Sequence, residues 1–353
     1  MPLQLHITNS SQGKFLLKPD TSFLSKGNTM NSLRTPDANF AHLDDFPYTA
    51  NYLDNDGVRM HFVDEGPQDA PVALLMHGMP TWSYLYRNMI PQLLAAGFRC
   101  VAPDHIGFGK SDKVTDPEWY SIARHTANIT RLVQHLDLQN INLFVQDWGG
   151  PTGLAQYALM PERFSRLVIM NTWLHHAEYD YSPAIQNWIT QNKPGGIFRD
   201  NIPEKTQWGT LMAMSTGRVA PQESLFLELS GETPSYSEEA ARVKRGYDAP
   251  FAGLGEAGVT GPRRFPLCIP FNDPSAGNAV EQAKHFAAVN ATQLPVHFIW
   301  GDSDAVFTLD WGKKWHSLIP HSTLDVMEGA AHFLQDSHGP QIVKAFLTRV
   351  SAD

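Results

Sequence analysis

From Tyr52 onward, short apolar runs alternate with amphipathic stretches. Tyr52 to Asn55 and Val58 to Asp64 flank Asp56-Gly57, a dipeptide suited to a tight hairpin turn. Pro71 to Met76 is a nearly continuous apolar run ending at His77-Gly78, the pattern of a buried strand. Tyr84 to Ala96 has helical spacing, Phe98 to Ala102 returns to strand, and Ser121 to Leu136 is an amphipathic helix. Ile141 to Val145 and Leu167 to Met170 add two strands, with a helical stretch from Leu154 to Met160 between them. Strands alternating with helices predict right-handed βαβ units, a mostly parallel sheet flanked by helices, and so the α/β class.

The alternation stops at about Thr172. As far as Gly261 the pattern is helical and irregular, with Trp173, Trp188 and Trp208 among many Gly and Pro. Strand pattern returns at Val296 to Trp300 and Thr323 to Val326, and Pro340 to Val350 makes a closing helix. This predicts a helical cap, 172–261, inserted into a main domain of 35–171 and 262–353. Residues 1–34 form an N-terminal extension with little periodicity before about Met30, itself an alternative start.

With 353 residues and 42% hydrophobic content, the chain has material for one large core plus an inserted subdomain. A net charge of −9 argues against a broad nucleic-acid or anionic-membrane footprint. Cys100 and Cys268 cannot build a disulfide framework and read as buried thiols. No stretch approaches the roughly 18 apolar residues of a membrane span, and Met1 to Phe40 lacks a signal peptide's apolar core. The expectation is a soluble, cytoplasmic protein.

The candidate chemistry lies where strands end, because open α/β sheets collect function at the carboxyl ends of their strands. In Val145-Gln146-Asp147-Trp148-Gly149-Gly150 a buried strand runs into a polar residue, two glycines and a helix. That is the setting of a nucleophile elbow, with Asp where Ser is usual. A carboxylate needs no base to become a nucleophile at neutral pH. It suits displacement at saturated carbon, leaving an ester that water must cleave. Asp304, in Asp302-Ser303-Asp304, follows the strand ending at Trp300, and His332 follows the last strand. The order nucleophile, acid, His is that of an α/β-hydrolase triad. Asp147 would attack carbon, His332 would deprotonate water, and Asp304 would orient the imidazole. Asp304 is preferred to Asp302 because it lies farther out on the loop. The backbone N–H groups of Met79 and Trp148 are placed to form the oxyanion hole. His77 reads as a brace for the loop carrying Met79.

Other motifs are discounted. Gly107-Phe108-Gly109-Lys110-Ser111 ends like a phosphate loop, but Asp104 stands where Walker A needs Gly. His175-His176 lacks partners at metal spacing. No metal or organic cofactor is expected.

At this point the residues resemble the haloalkane dehalogenases of the α/β-hydrolase superfamily. The resemblance is carried by Thr35-Pro36-Asp37, Asn51-Tyr52-Leu53-Asp54, the run from His77-Gly78-Met79-Pro80 to Arg87, Gly107 to Asp112, and Val145 to Gly150. It covers roughly Thr35 to the C-terminus, is weakest in the cap, and excludes residues 1–29. It implies hydrolysis of a small halogenated alkane by water, with release of a halide ion and no cofactor. It also implies two side-chain N–H donors for the halide. One is Trp148. One subfamily supplies the second from Asn in the His-Gly-Asn-Pro loop, but here Met79 cannot donate from its side chain. The other subfamily uses a cap Trp, and Trp188 is the candidate, with Trp173 the runner-up. Some members of that subfamily have Glu where Met79 stands, so any side-chain role in placing water is lost here. Phe251 resembles a pocket-lining position. The main alternative is epoxide hydrolase, which shares the Asp nucleophile and uses cap tyrosines as acids, here Tyr179, Tyr181, Tyr236 and Tyr247. That family usually has His before the nucleophile, where this chain has Gln146.

Overall fold

In the computed structural model, residues 31–196 and 237–351 are described. The chain divides into two units, Met1–Met30 and Asn31–Asp353. The strands of the second unit, in chain order, are β1 (Ser32–Leu33), β2 (Asn51–Asn55), β3 (Val58–Glu65), β4 (Val72–Met76) and β5 (Arg99–Pro103). Then come β6 (Lys113–Val114), β7 (Ile141–Asp147), β8 (Phe164–Thr172), β9 (Val296–Gly301) and β10 (Thr323–Met327). Eight of them form one sheet in the order β10-β9-β8-β7-β4-β5-β3-β2. The six from β10 to β5 are parallel, and the β2–β3 hairpin adds an antiparallel edge.

Sequence explains this arrangement locally. Every residue of β4, β5, β7 and β9 is buried, as continuous apolar runs covered on both faces require. Along β7, Leu143 and Val145 join one core layer while Phe144 joins the other. The hairpin turns at Asp56 (φ +58°) and Gly57 (φ +88°), both left-handed as a type I′ turn needs. Helix Ile122–His135 is capped by Ser121, whose hydroxyl accepts from the Arg124 N–H.

Three expectations change in detail. The single helix expected over Tyr84 to Ala96 is a 3₁₀ turn, Ser83–Tyr86, and a separate helix, Ile90–Ala95. Pro91 favours a fresh helix start, and Tyr86 is anchored elsewhere, its hydroxyl donating to Met76 O at 2.8 Å. The closing helix begins earlier, at Leu334, and kinks at His338. Pro340 has no N–H to give the Asp336 carbonyl, which instead accepts from Asn88 Nδ2 at 2.8 Å. Two of the domain boundaries fall inside structure. β1 pairs with β6, so residues 32–33 pack with the larger unit, and helix Thr260–Leu267 runs across the 261/262 division.

The position of β4 places the site. Its neighbours are β5 on one side and β7 on the other, so the connections leaving β4 and β7 run in opposite directions. Where connections diverge in this way, the carboxyl ends of the two strands are the expected place for a site. No helix among the described residues is long and apolar enough to cross a membrane.

Candidate active site

Asp147 closes β7 with φ +50°. A non-glycine residue there costs about 1–2 kcal/mol, least for Asp and Asn. The left-handed step turns the chain from strand into helix Gly149–Leu159 and leaves the carboxylate above the sheet end. The helix start must pass close to β4: a Cβ on Gly149 would lie 2.1 Å from Met76 O. Thr172 Oγ1 donates to Asp147 O at 2.5 Å and ties the elbow to β8.

The two oxygens of Asp147 have different partners. Oδ1 accepts from the Met79 N–H at 2.7 Å. Oδ2 lies 3.4 Å from His332 Nε2. Among the described residues, Met79 supplies the one backbone N–H bonded to this carboxylate. The loop carrying it approaches so closely that a Cβ on Gly78 would fall 2.1 Å from Oδ1. His77 braces that loop. Its Nδ1–H donates to Gly78 O at 2.8 Å, and its Nε2 accepts from the His105 N–H at 3.0 Å. Those two bonds define a neutral imidazole, and burial lowers its proton affinity, in agreement.

His332 Nδ1 faces Asp304 Oδ2 at 2.9 Å. Asp304 is held in turn by Asn171 Nδ2, which donates to Oδ2 at 2.7 Å, and by the Val306 N–H, which donates to Oδ1 at 2.7 Å. Asn171 Oδ1 accepts from the Gly301 N–H at 2.8 Å, which locks its amide. Asp302 points elsewhere and accepts from the Gly329 N–H at 2.8 Å. The structure thus brings together Asp147, His332, Asp304 and the Met79 N–H. Burial alone would lower the His332 pKa, but Asp304 and Asp147 outweigh it and raise it to about 10. The role of Asn171 as the support of Asp304 was hidden in the sequence beyond its place at a strand end.

Aromatic rings close over this group. Trp148 is buried, edge-on to Trp173 at 4.7 Å and to Phe265 at 5.1 Å. Phe307 stacks on Trp173 at 4.9 Å and lies 5.6 Å from the His332 ring. The Trp148 indole N–H has no hydrogen-bond partner among the described residues. Trp188 is half-buried on helix Pro183–Asn192, which packs against helix Thr260–Leu267, the carrier of Phe265. Phe251 is buried beneath the Lys113 ammonium, 5.9 Å from its ring, and forms no ring pair with Trp148, Trp173 or Phe265. Trp208 and Tyr236 lie outside the described residues. Tyr247 and Tyr181 have committed hydroxyls: Tyr247 donates to Asp336 Oδ2 at 2.8 Å, and Tyr181 pairs with His175 Nδ1 at 2.8 Å.

The family profile for the alpha/beta hydrolase fold matches residues 71–339, and with the eight-stranded sheet it defines an α/β-hydrolase. Haloalkane dehalogenase from Mycolicibacterium paratuberculosis is 34% identical over 333 residues, which span 90% of this chain and 98% of that protein. The enzyme of the same name from Psychrobacter cryohalolentis is 34% identical over 328 residues, 89% of this chain and 96% of the relative. The solved structure of a tetrameric haloalkane dehalogenase from Paraglaciecola agarilytica superposes with a TM-score of 0.76 at 31% identity, over 89% of this chain and 97% of that one. The chain belongs to the haloalkane dehalogenase family.

Proposed function

We propose that this chain hydrolyses the carbon–halogen bond of small haloalkanes through an ester on Asp147. One observation carries the reading: a carboxylate at a nucleophile elbow, with Oδ1 on the Met79 N–H and Oδ2 beside a His held by a second carboxylate. Asp147 Oδ2 attacks the carbon, the C–O bond forms, and the halide leaves with the bonding pair. Water then attacks the Asp147 carbonyl carbon while His332 Nε2 takes its proton. The oxyanion forms at Oδ1, where the Met79 N–H already points; the Trp148 N–H completes the hole. Collapse breaks the alkyl C–O-acyl linkage at the carbonyl, the alcohol leaves with a proton from His332, and halide and one proton are the other products. Asp304 keeps the imidazole in its tautomer throughout.

The halide sits between the indole N–H groups of Trp148 and Trp188. Large, weakly basic halides are stabilised by such donors in a dry pocket without being protonated. The unpartnered Trp148 N–H supports this role. On this reading segment 172–261 is the cap and Phe251 a pocket-lining residue, as the family resemblance implies. The competing epoxide reaction needs tyrosine O–H groups free to protonate an alkoxide. Tyr181 and Tyr247 are engaged elsewhere, while the Tyr179 hydroxyl has no hydrogen bond among the described residues, so the halide reading is preferred for the unpartnered Trp148 indole N–H beside Asp147. The buried thiols Cys100 and Cys268 fit a reducing compartment such as the cytoplasm.

The test is halide release from 1-bromobutane and 1,2-dibromoethane, with Asp147→Ala as control. Release that vanishes in the variant supports the assignment. A folded protein that releases no halide but opens an epoxide overturns it.

A further inference from the structure

Gln146, the residue of β7 before Asp147, is fully buried. Its amide Nε2 donates to the His332 carbonyl at 3.0 Å and lies 3.3 Å from His332 Nε2. Its Oε1 has no hydrogen-bond partner among the described residues. The orientation of the amide follows, since the reverse one would set its oxygen against another carbonyl oxygen. An N–H donor is therefore aimed at the edge of the imidazole that meets Asp147.

A donor at that place discriminates between protonation states. Neutral His332, with its Nδ1–H given to Asp304, offers a lone pair at Nε2. The imidazolium offers an N–H there and meets the amide N–H head-on. The charged groups facing His332 are Asp147 on β7 and Asp304 after β9, and both favour the imidazolium. The other neighbours, Phe307 and Phe333, are uncharged rings. The Gln146 amide is the group that opposes the two carboxylates. Its approach to Nε2, at 3.3 Å, is looser than its 3.0 Å bond to the His332 carbonyl, which holds the amide in place.

We propose that Gln146 is a positioning residue that biases His332 toward the neutral, Nδ1-protonated form, and so speeds hydrolysis of the ester without acting in alkylation. This rests on the reading that Asp147 carries the ester. The test uses Gln146→Met, similar in length but without an N–H. His332 is titrated by NMR, and single turnovers of 1-bromobutane separate halide release from alcohol formation across pH. The expected result is a higher His332 pKa and a hydrolysis profile moved to higher pH by the same amount. Hydrolysis at neutral pH slows about three- to tenfold, the worth of one hydrogen bond, and alkylation holds within about twofold. Gln146→Leu, uncharged and without an N–H, shifts both in the same direction and serves if the Met variant does not fold. An unmoved titration overturns the proposal, whether the two rates are unchanged or fall together. If the unmodified protein never forms the ester, the reaction assignment fails, while the titration still decides what Gln146 does.

Discussion

Replacing Asp147 by Asn mimics the charge state of the proposed Asp147 ester, and His332 should register the change. In the free protein His332 sits between two carboxylates, with Asp147 Oδ2 at 3.4 Å and Asp304 Oδ2 at 2.9 Å, and its pKa is raised to about 10. At neutral pH it therefore holds a proton and cannot act as a base. Esterification removes the Asp147 charge. At 3.4 Å and an effective dielectric of about 20, that charge is worth about 5 kcal/mol, or three to four pKa units. His332 keeps some solvent exposure, so the expected fall is smaller, about 2–3 units. The imidazole then becomes neutral near pH 8, when water needs a base. The assay is NMR titration of labelled histidine in the unmodified protein and in Asp147→Asn, with His332→Gln to assign the signal. A His332 pKa in the variant within about half a unit of the unmodified protein would refute the argument, because the pairing would then carry no charge coupling.

Asp304→Asn removes the acceptor at Nδ1, and the ester should accumulate: one halide per protein is released quickly, followed by turnover slowed about 10²–10⁴-fold, as read by burst kinetics. The raised His332 pKa also predicts a pH-dependent contribution to folding. It is fully present below the unfolded value of about 6.5 and is lost as pH rises through the folded value of about 10. Urea unfolding across that window should show a slope of up to about 1.4 kcal/mol per pH unit that His332→Gln lacks. Arg87 meets Asp336 at 2.8 and 3.1 Å in a buried pair, so Arg87→Met should cost about 3–5 kcal/mol by leaving the carboxylate uncompensated. Arg87→Met/Asp336→Leu should recover much of that loss in the same unfolding assay.

The buried parallel strands were legible because both faces are covered, so β4, β5 and β7 carry apolar runs that no helix of that length would need. The Asp56-Gly57 turn and the Ser121 cap were equally plain, since each is a local hydrogen-bonding pattern. Helices Ala279–Asn290 and Leu309–Ser317 were not marked, because their apolar faces are short and broken. The split of Tyr84 to Ala96 depends on where the Tyr86 hydroxyl finds a carbonyl, a tertiary fact. In the site, strand-end position and chain order pointed to Asp147, Asp304 and His332 as candidates. They could not show that Asn171 and Val306 hold Asp304, or that Gln146 turns its amide toward His332. The Asn171–Asp304 and Gln146–His332 contacts join residues 133 and 186 apart in the chain, which no local pattern records, while the Val306 contact depends on how the loop after β9 turns.

The chain leaves the sheet at Thr172 and returns at Val296, yet β8 and β9 are hydrogen-bonded neighbours, with Leu167 opposite Val296. The intervening segment is thus a loop whose two ends are pinned by the ladder itself. Closing such a loop becomes only about 0.6 kcal/mol less favourable each time its length doubles. Extra residues inserted at an exposed turn of the segment therefore add little closure cost, and the strand register that aims Asp147, Asp304 and His332 at one another need not shift.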